Sequence, residues 1–320
     1  MLAVHMQLTI LATFFEISRT VISMGTAGIL ILFVALWAAR DDIAQARGLE
    51  KAVALSNLCF AAPLAVFGAL HLAAARALMT MVPSYMPWPL FWAYFFGFAL
   101  LAASLSIATK ILVRWSGLLF GIAMFCFVAM MDIPGALQTP GDRFGWILAI
   151  RELAFGAGAW LLAAGAMTSA VSGAITKSTT NAATGQVKTT FLTIGRVVVG
   201  ITAIFYGVEF FLHPQGVPGL PLQKMMPDWI PAHLLINYLT GAILVVSGAA
   251  ILLAKKTHLA ATYLGAWIVL LVVVIYGPIL ISALSNPSTE VKIEGINYFF
   301  DTLLFAGVIL ALASATPPTD

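Results

Sequence analysis

The stretch MVPSYMPWPLFWAYFFGFALLAASLSIATK, residues 81–110, decides the fold of this chain. After its proline-rich start, residues 89–109 contain no charged side chain and are almost all apolar. An apolar run of about 20 residues is long enough to cross the hydrocarbon core of a bilayer as a helix. The stretch therefore predicts a membrane-spanning helix that begins after the loop prolines and ends before Lys110.

The whole chain has the same apolar character. Of its 320 residues, 61% are hydrophobic and only 9% are charged, and the mean hydropathy is +1.00. Because soluble domains carry about 25% charged residues, this composition excludes a water-soluble globule. Nine charge-poor runs are each long enough to span a bilayer, at 21–39, 52–74, 89–109, 115–137, 145–168, 191–212, 234–254, 259–283 and 296–314. We predict an all-α integral membrane protein with nine transmembrane helices.

Loop lysines and arginines predict the orientation of these helices, because cytoplasmic loops carry the excess of basic residues. Nine lie on one side, namely Arg40, Arg47, Lys51, Lys110, Arg114, Lys177, Lys188, Lys255 and Lys256. Five lie on the other, namely Arg19, Arg76, Arg143, Lys224 and Lys292. We predict a multi-pass protein of the cell inner membrane with its N-terminus outside and its C-terminus in the cytoplasm. The net charge is only +3 and the sequence contains no basic run, so the predicted partner is the lipid bilayer and not nucleic acid.

An internal repeat divides the chain. MVPSYMP at 81–87 and MMPDWIP at 225–231 differ by 144 in residue number, and the same offset pairs Gly97 with Gly241 and Pro134 with Pro278. An even number of helices in each half predicts two parallel repeats related by an axis along the membrane normal. The predicted segments are an N-terminal helix with a charged loop (1–51), a first four-helix bundle (52–170), a polar cytoplasmic linker (171–190) and a second four-helix bundle (191–320).

The second repeat resembles the DoxX-like family of four-helix membrane proteins. The resemblance rests on Arg196, Gly200 and Gly207 in the first helix, on the loop prolines Pro227 and Pro231 around Trp229, and on the following Thr240-Gly241. The first repeat keeps the loop as Pro83, Tyr85 and Pro87 but has Asn57 and Ala61 at the arginine and first glycine positions. The resemblance covers about 52–168 and 191–314. It implies thiosulfate- or quinone-associated oxidation, an oxidative-stress complex or an accessory role, with a redox partner subunit.

Ionisable residues inside the spans provide the candidate site, because they are costly in lipid and face the interior or a cavity. Seven residues are predicted to form a substrate or quinone pocket, namely Asp132, Glu152, Arg196, Glu209, His213, Trp229 and Asp301. The alternative is that the aromatic residues form an interfacial belt and the charges pair structurally. An offset of 149 pairs Glu152 with Asp301, which marks a polar position retained in both repeats. For Arg196, near the start of its span, the expected partners are a phospholipid phosphate or a carboxylate.

The sequence predicts no metal site and no resident cofactor. Cys59 and Cys126 lie in apolar runs without metal-ligand spacing, and packing is their expected role, with a thiol pair that exchanges with a quinone as the alternative. Methionines near the proline loops suggest copper, but methionine also fills gaps in apolar surfaces. On the redox interpretation, a diffusible quinone carries the electrons.

Three functions fit this pattern. The first is a membrane subunit or accessory factor coupled to quinone-linked redox chemistry. The second is a small-molecule transporter, for which parallel repeats are compatible. Against it, Pro134 and Pro278 lie near the ends of their spans, so the sequence does not predict paired broken helices. The third is a non-catalytic membrane scaffold.

Overall fold

The computed structural model describes the backbone of residues 2–173, 180–221 and 223–318 and the side chains of residues 19–167, 185–221 and 223–318. Within these ranges the chain is helical apart from short loops and turns and contains no β-strand. Nine of the described helices are long and apolar enough to span a membrane. The predicted class, an all-α membrane protein with nine spans, is confirmed.

The nine spans follow the predicted runs closely. They are α1 (Leu2–Gln45), α2 (Ser56–Ala73), α3 (Pro89–Ala108), α4 (Val113–Gln138), α5 (Arg143–Gly173), α6 (Thr180–Leu212), α7 (His233–Leu252), α8 (Thr257–Leu284) and α9 (Thr289–Ala315). A short helix, Glu50–Ala54, joins α1 to α2. Of the predicted linker, residues 180–190 belong to α6, whereas residues 174–179 lie outside the described part of the chain.

The loops define two ends of the molecule. The end that carries the α3–α4 loop is called the Lys110 end, and there the ammonium group of Lys110 pairs with the Asp42 carboxylate at the end of α1. The opposite end carries residues 79–88 and 213–232 and is called the proline-loop end. At the Lys110 end, His258 Nε2 lies 2.9 Å from Glu50 Oε1 and Nδ1 lies 2.9 Å from the Ala313 carbonyl. This contact joins the α1–α2 connection to α8 and α9.

The last helix of each half lies at the centre. Helices α5 and α9 pack against each other, and most of the apolar part of each is buried. Within the halves, α2 packs against α3 and α6 packs against α7. Between the halves, α2 packs against α9 and α6 packs against α5. The first helix of each half therefore contacts the last helix of the other half, and α1 packs mainly on α2 from outside.

Close backbone approach stabilises the central crossing. A Cβ atom at Gly307 of α9 would lie 2.9 Å from the carbonyl carbon of Cys59 in α2, which is closer than side-chain carbons come. In lipid, where helices gain little from the hydrophobic effect, association depends on such van der Waals contact. Glycine at this position therefore lets α2 and α9 pack tightly, and the side chains that flank Gly307 in α9 are fully buried.

Candidate functional site

Three charged side chains form a buried cluster between the two central helices. Arg151 of α5 donates a hydrogen bond from Nη1 to Asp301 Oδ2 of α9 at 2.9 Å, and from Nη2 to Glu152 Oε1 at 2.9 Å. The three side chains are only 12–19% exposed. The two carboxylates that the sequence offset pairs therefore share one guanidinium group, and this Arg151 cluster (Arg151, Glu152 and Asp301) has a formal charge of −1.

The cluster lies inside the membrane-spanning part of the helices. Arg151 is eight residues from the start of α5 at the proline-loop end, which corresponds to about 12 Å along the helix axis. Burying charges at this depth costs free energy unless they are paired and hydrogen-bonded. The sequence places Arg151 among the ionisable residues within spans but not among the seven predicted pocket residues. Its position next to Glu152 does not show that it reaches Asp301 on another helix.

A π-helical turn brings Asp132 toward this cluster. Val128–Asp132 form the turn in α4, and Val272–Tyr276 form a corresponding turn in α8, again with an offset of 144. Such turns are frequent at functional sites. A proline follows each turn by two residues, Pro134 and Pro278, and it removes a backbone donor that a regular helix needs. Both spans continue as helices through these turns, and Pro134 and Pro278 lie in their last turns, as the sequence predicts.

The Asp132 carboxylate interacts electrostatically with Glu152 and Arg151. Its Oδ2 atom is buried, and no described group donates a hydrogen bond to it. Two further buried polar atoms have no hydrogen-bond partner among the described groups, the donor Nε of Arg151 and the acceptor Oδ1 of Asn297, which is one helical turn before Asp301. Because buried polar atoms in proteins are nearly always hydrogen-bonded, this region retains the capacity to bind a polar group or water.

A separate recess opens at the proline-loop end. It has a volume of about 270 Å³, and its charged residues are Arg143 at the start of α5 and Glu209 near the end of α6. Arg143 Nη1 donates to Glu209 Oε2 at 2.7 Å, and the Glu209 side chain is only 11% exposed. His213 also lines the recess, beside Gln215, Gln223 and Met225. The recess thus brings together the predicted residues Glu209 and His213, and Arg143, which was not predicted, is the counter-ion of Glu209.

The seven predicted residues therefore do not meet in one pocket. Asp132, Glu152 and Asp301 belong to the region of the cluster, and Glu209 with His213 belongs to the recess. Arg196 lies toward the Lys110 end, where its Nη1 donates to the carbonyls of Ile251 at 3.0 Å and Leu252 at 2.7 Å. Among the described residues its partners are these carbonyls, and it forms no ion pair with a described carboxylate. Trp229 is 55% exposed and lines neither place.

The two cysteines are separate free thiols. Cys59 is buried in α2, whereas Cys126 is exposed on α4, so they do not form the thiol pair that quinone exchange would require. In the described ranges, no three His, Cys, Asp or Glu side chains are grouped closely enough to hold a metal ion.

Comparisons with known proteins add no relative. No protein-family model, curated protein or solved structure matches this chain. The functional argument consequently rests on the residues and geometry described above.

Proposed function

We propose that this multi-pass membrane protein is a DoxX-like subunit that binds a lipophilic carbonyl compound of the quinone class beside the Arg151 cluster. The observation that carries the proposal is the buried Oδ2 atom of Asp132, which lacks a partner among the described groups and lies near the Glu152 carboxylate. An oxygen of this kind, when protonated, donates a hydrogen bond to a carbonyl oxygen. The DoxX-like motifs Arg196, Gly200 and Gly207 support the same class.

The position of Asp132 suits a ligand that arrives from the bilayer. Its neighbours Met130 and Ile133 are 37% and 39% exposed on the outer surface of α4. On the inner side lie Glu152 and Arg151. A molecule that enters between lipid and α4 would thus meet a carboxyl group before it meets the cluster. Tyr85 of the proline loop donates from its hydroxyl to the Met130 carbonyl at 3.2 Å and holds the loop over this surface.

The residues supply proton-binding groups for quinone reduction. A quinone takes up two electrons and two protons to become a quinol, and Asp132 with Glu152 provides two carboxyl groups at one place. The negative charge of Asp301 stays paired with Arg151, whose Nη1 lies 2.9 Å from Asp301 Oδ2. In this proposal a redox partner subunit supplies the electrons. The basic loops at the Lys110 end support a cytoplasmic position for that end in the inner membrane.

The proposal is tested with the full chain purified in mild detergent. Mass spectrometry first determines whether a quinone is retained, and titration with a short-chain benzoquinone then gives an affinity from tryptophan fluorescence. Asp132→Leu should weaken binding about tenfold, the equivalent of one buried hydrogen bond. Asp228→Leu is the matched control, because Asp228 is an exposed carboxylate of the other proline loop. Absence of quinone binding, or equal affinity of the two variants, would refute the proposal.

Transport is the second candidate, and the matching π-helical turns of α4 and α8 favour it, because such turns are frequent at functional sites. Substrate sites of transporters with internal repeats lie near the repeat interface. Here α4 and α8 pack against α5 and α9, which carry the Arg151 cluster. In proteoliposomes, solute-driven proton uptake that Glu152→Gln abolishes would support this function. Uptake that this variant does not change would count against it, and a chain with neither quinone nor flux would be a scaffold.

A further inference from the structure

A larger cavity lies at the Lys110 end, apart from the Arg151 cluster and the recess. Its volume is about 790 Å³, and it lies between the N-terminal part of α2, the α3–α4 loop, the ends of α5 and α9 and the start of α6. This is the size of a site for a small ligand. It is bounded by helices of both halves, and none of the seven predicted residues lines it.

The charge in this cavity is positive. Lys110, Lys188 and Asp42 are the charged residues that line it. Lys110 pairs with Asp42, whereas Lys188 is half-buried and forms no ion pair or hydrogen bond with the described residues. Two lysines and one aspartate give a formal charge of +1, with the unpaired ammonium group on α6. An anionic group is the complementary ligand.

A serine hydroxyl adds a second polar contact. Ser56 at the start of α2 lines the cavity and is only 5% exposed, yet its hydroxyl makes no hydrogen bond with any described residue. Beside it, Asn57 uses one amide hydrogen for the Ile107 carbonyl at 3.4 Å and retains its carbonyl oxygen. The Ser56 hydroxyl is therefore available to hydrogen-bond a polar group of a ligand in the cavity.

Much of the remaining wall is apolar, although Ser314 and Thr316 also line it. The aliphatic side chains come from four segments, namely Val53, Val113, Leu161, Leu162, Ala166 and Ala311. A free inorganic anion would leave this surface unused. An anion that carries an alkyl chain would cover it while its head group reaches Lys188 and Ser56. Basic pockets between transmembrane helices on the cytoplasmic side bind anionic lipid head groups in this way.

We infer that the cavity at the Lys110 end binds one anionic phospholipid, with its phosphate at Lys188 and Ser56 and the start of an acyl chain along the aliphatic wall. The bound lipid then contacts α2 and α5 of the first half and α6 and α9 of the second half, and so connects the two halves. This site is independent of quinone binding, because its residues are at the end of the helices opposite the proline loops.

The test is native mass spectrometry of the full chain in mild detergent, titrated with phosphatidylglycerol and, separately, with phosphatidylcholine of the same acyl chains. One phosphatidylglycerol should bind in preference to phosphatidylcholine. Lys188→Gln should weaken phosphatidylglycerol binding about fivefold, the effect of one basic group at an anionic head group. Lys188→Arg should retain the affinity. Lys255→Gln is the matched control, because Lys255 is exposed at the same end and does not line the cavity.

Three outcomes would overturn the inference. Equal affinity for the two lipids would show that charge is not recognised, and equal affinity of Lys188→Gln and Lys255→Gln would show that Lys188 does not contact the lipid. Displacement of phosphatidylglycerol by millimolar inorganic phosphate would show that the site takes a free anion and that the aliphatic wall contributes nothing. Size-exclusion profiles of all variants establish that the chain is folded in each titration.

Discussion

The first and second halves of the molecule form the same helix crossing with different groups. In the first half, α2 and α3 are joined by the Ser104 hydroxyl, which donates to the Ala61 carbonyl at 2.7 Å. The corresponding residues of α6 and α7 are Gly200 and Gly248. There the backbones themselves meet, because a Cβ atom at Gly248 would lie 2.9 Å from the Gly200 carbonyl oxygen. A side-chain hydrogen bond in one half thus takes the place of bare backbone contact in the other.

Toward the Lys110 end, the two halves again form the same contact with different side chains. Asn57 donates to the Ile107 carbonyl at 3.4 Å, and Arg196 donates to the Ile251 carbonyl at 3.0 Å. The sequence offsets pair these two donors and these two acceptors. Arg196 therefore caps the end of α7, where a cation interacts favourably with the helix dipole. The asparagine retains the contact without the charge, so the acceptor is common to both halves and the donor differs.

The Arg151 cluster is the place where the halves depend on each other. The first half supplies the guanidinium and one carboxylate, and the second half supplies Asp301. At the position that corresponds to Arg151, the second half has Phe300. The cluster therefore has a single cation, and loss of Arg151 from the first half would leave Asp301 of the second half without its counter-ion.

Removal of the shared cation should have the largest effect. Arg151→Met leaves Glu152 and Asp301 buried without a counter-ion, and the free energy of unfolding should fall by about 3–5 kcal/mol. Denaturation in mild detergent measures this change. The control combines Arg151→Met with Glu152→Gln and Asp301→Asn, which should recover most of the loss. A single variant as stable as the wild type would show that the cluster does not join the two halves.

The sequence predicted the spans better than the site. The run 89–109 corresponds to α3, because hydropathy and length are enough to locate a helix in a membrane. Neither shows the direction in which a side chain points around the helix. For this reason the single predicted pocket divides into the cluster, the recess and the Arg196 contact, and Trp229 proves to be exposed. The π-helical turn before Pro134 also escaped prediction, because proline marks a break without specifying the form that it takes.

The two donors at the Lys110 end should differ in strength. Arg196→Met removes two charge-assisted hydrogen bonds to the carbonyls of Ile251 and Leu252. The free energy of unfolding should therefore fall by about 2 kcal/mol. Asn57→Leu removes one longer bond, and the expected loss is about 0.6 kcal/mol. The same denaturation experiment compares them. Equal losses would mean that the charge of Arg196 adds nothing to the contact.

The bare backbone contact should be sensitive to added volume. Gly248→Ala places a methyl group 2.9 Å from the Gly200 carbonyl oxygen, so α6 and α7 must separate slightly. The expected loss of stability is about 1 kcal/mol, the lower end of the cost of overpacking. Gly165→Ala in α5 is the control, because a Cβ atom there meets nothing within 4 Å. A loss as large in the control would indicate a general effect of alanine in these helices.

The hydroxyl contact in the first half should matter least. Ser104→Ala removes the bond to the Ala61 carbonyl but leaves that oxygen within its own helix, where it accepts a backbone hydrogen bond. No buried acceptor is left unpaired, so the loss should be about 0.6 kcal/mol, typical of hydrogen bonds between transmembrane helices. Ser104 is fully buried, and the alanine keeps the Cβ contact. A loss above that of Gly248→Ala would mean that the first half depends on its hydrogen bond more than the second half depends on close packing.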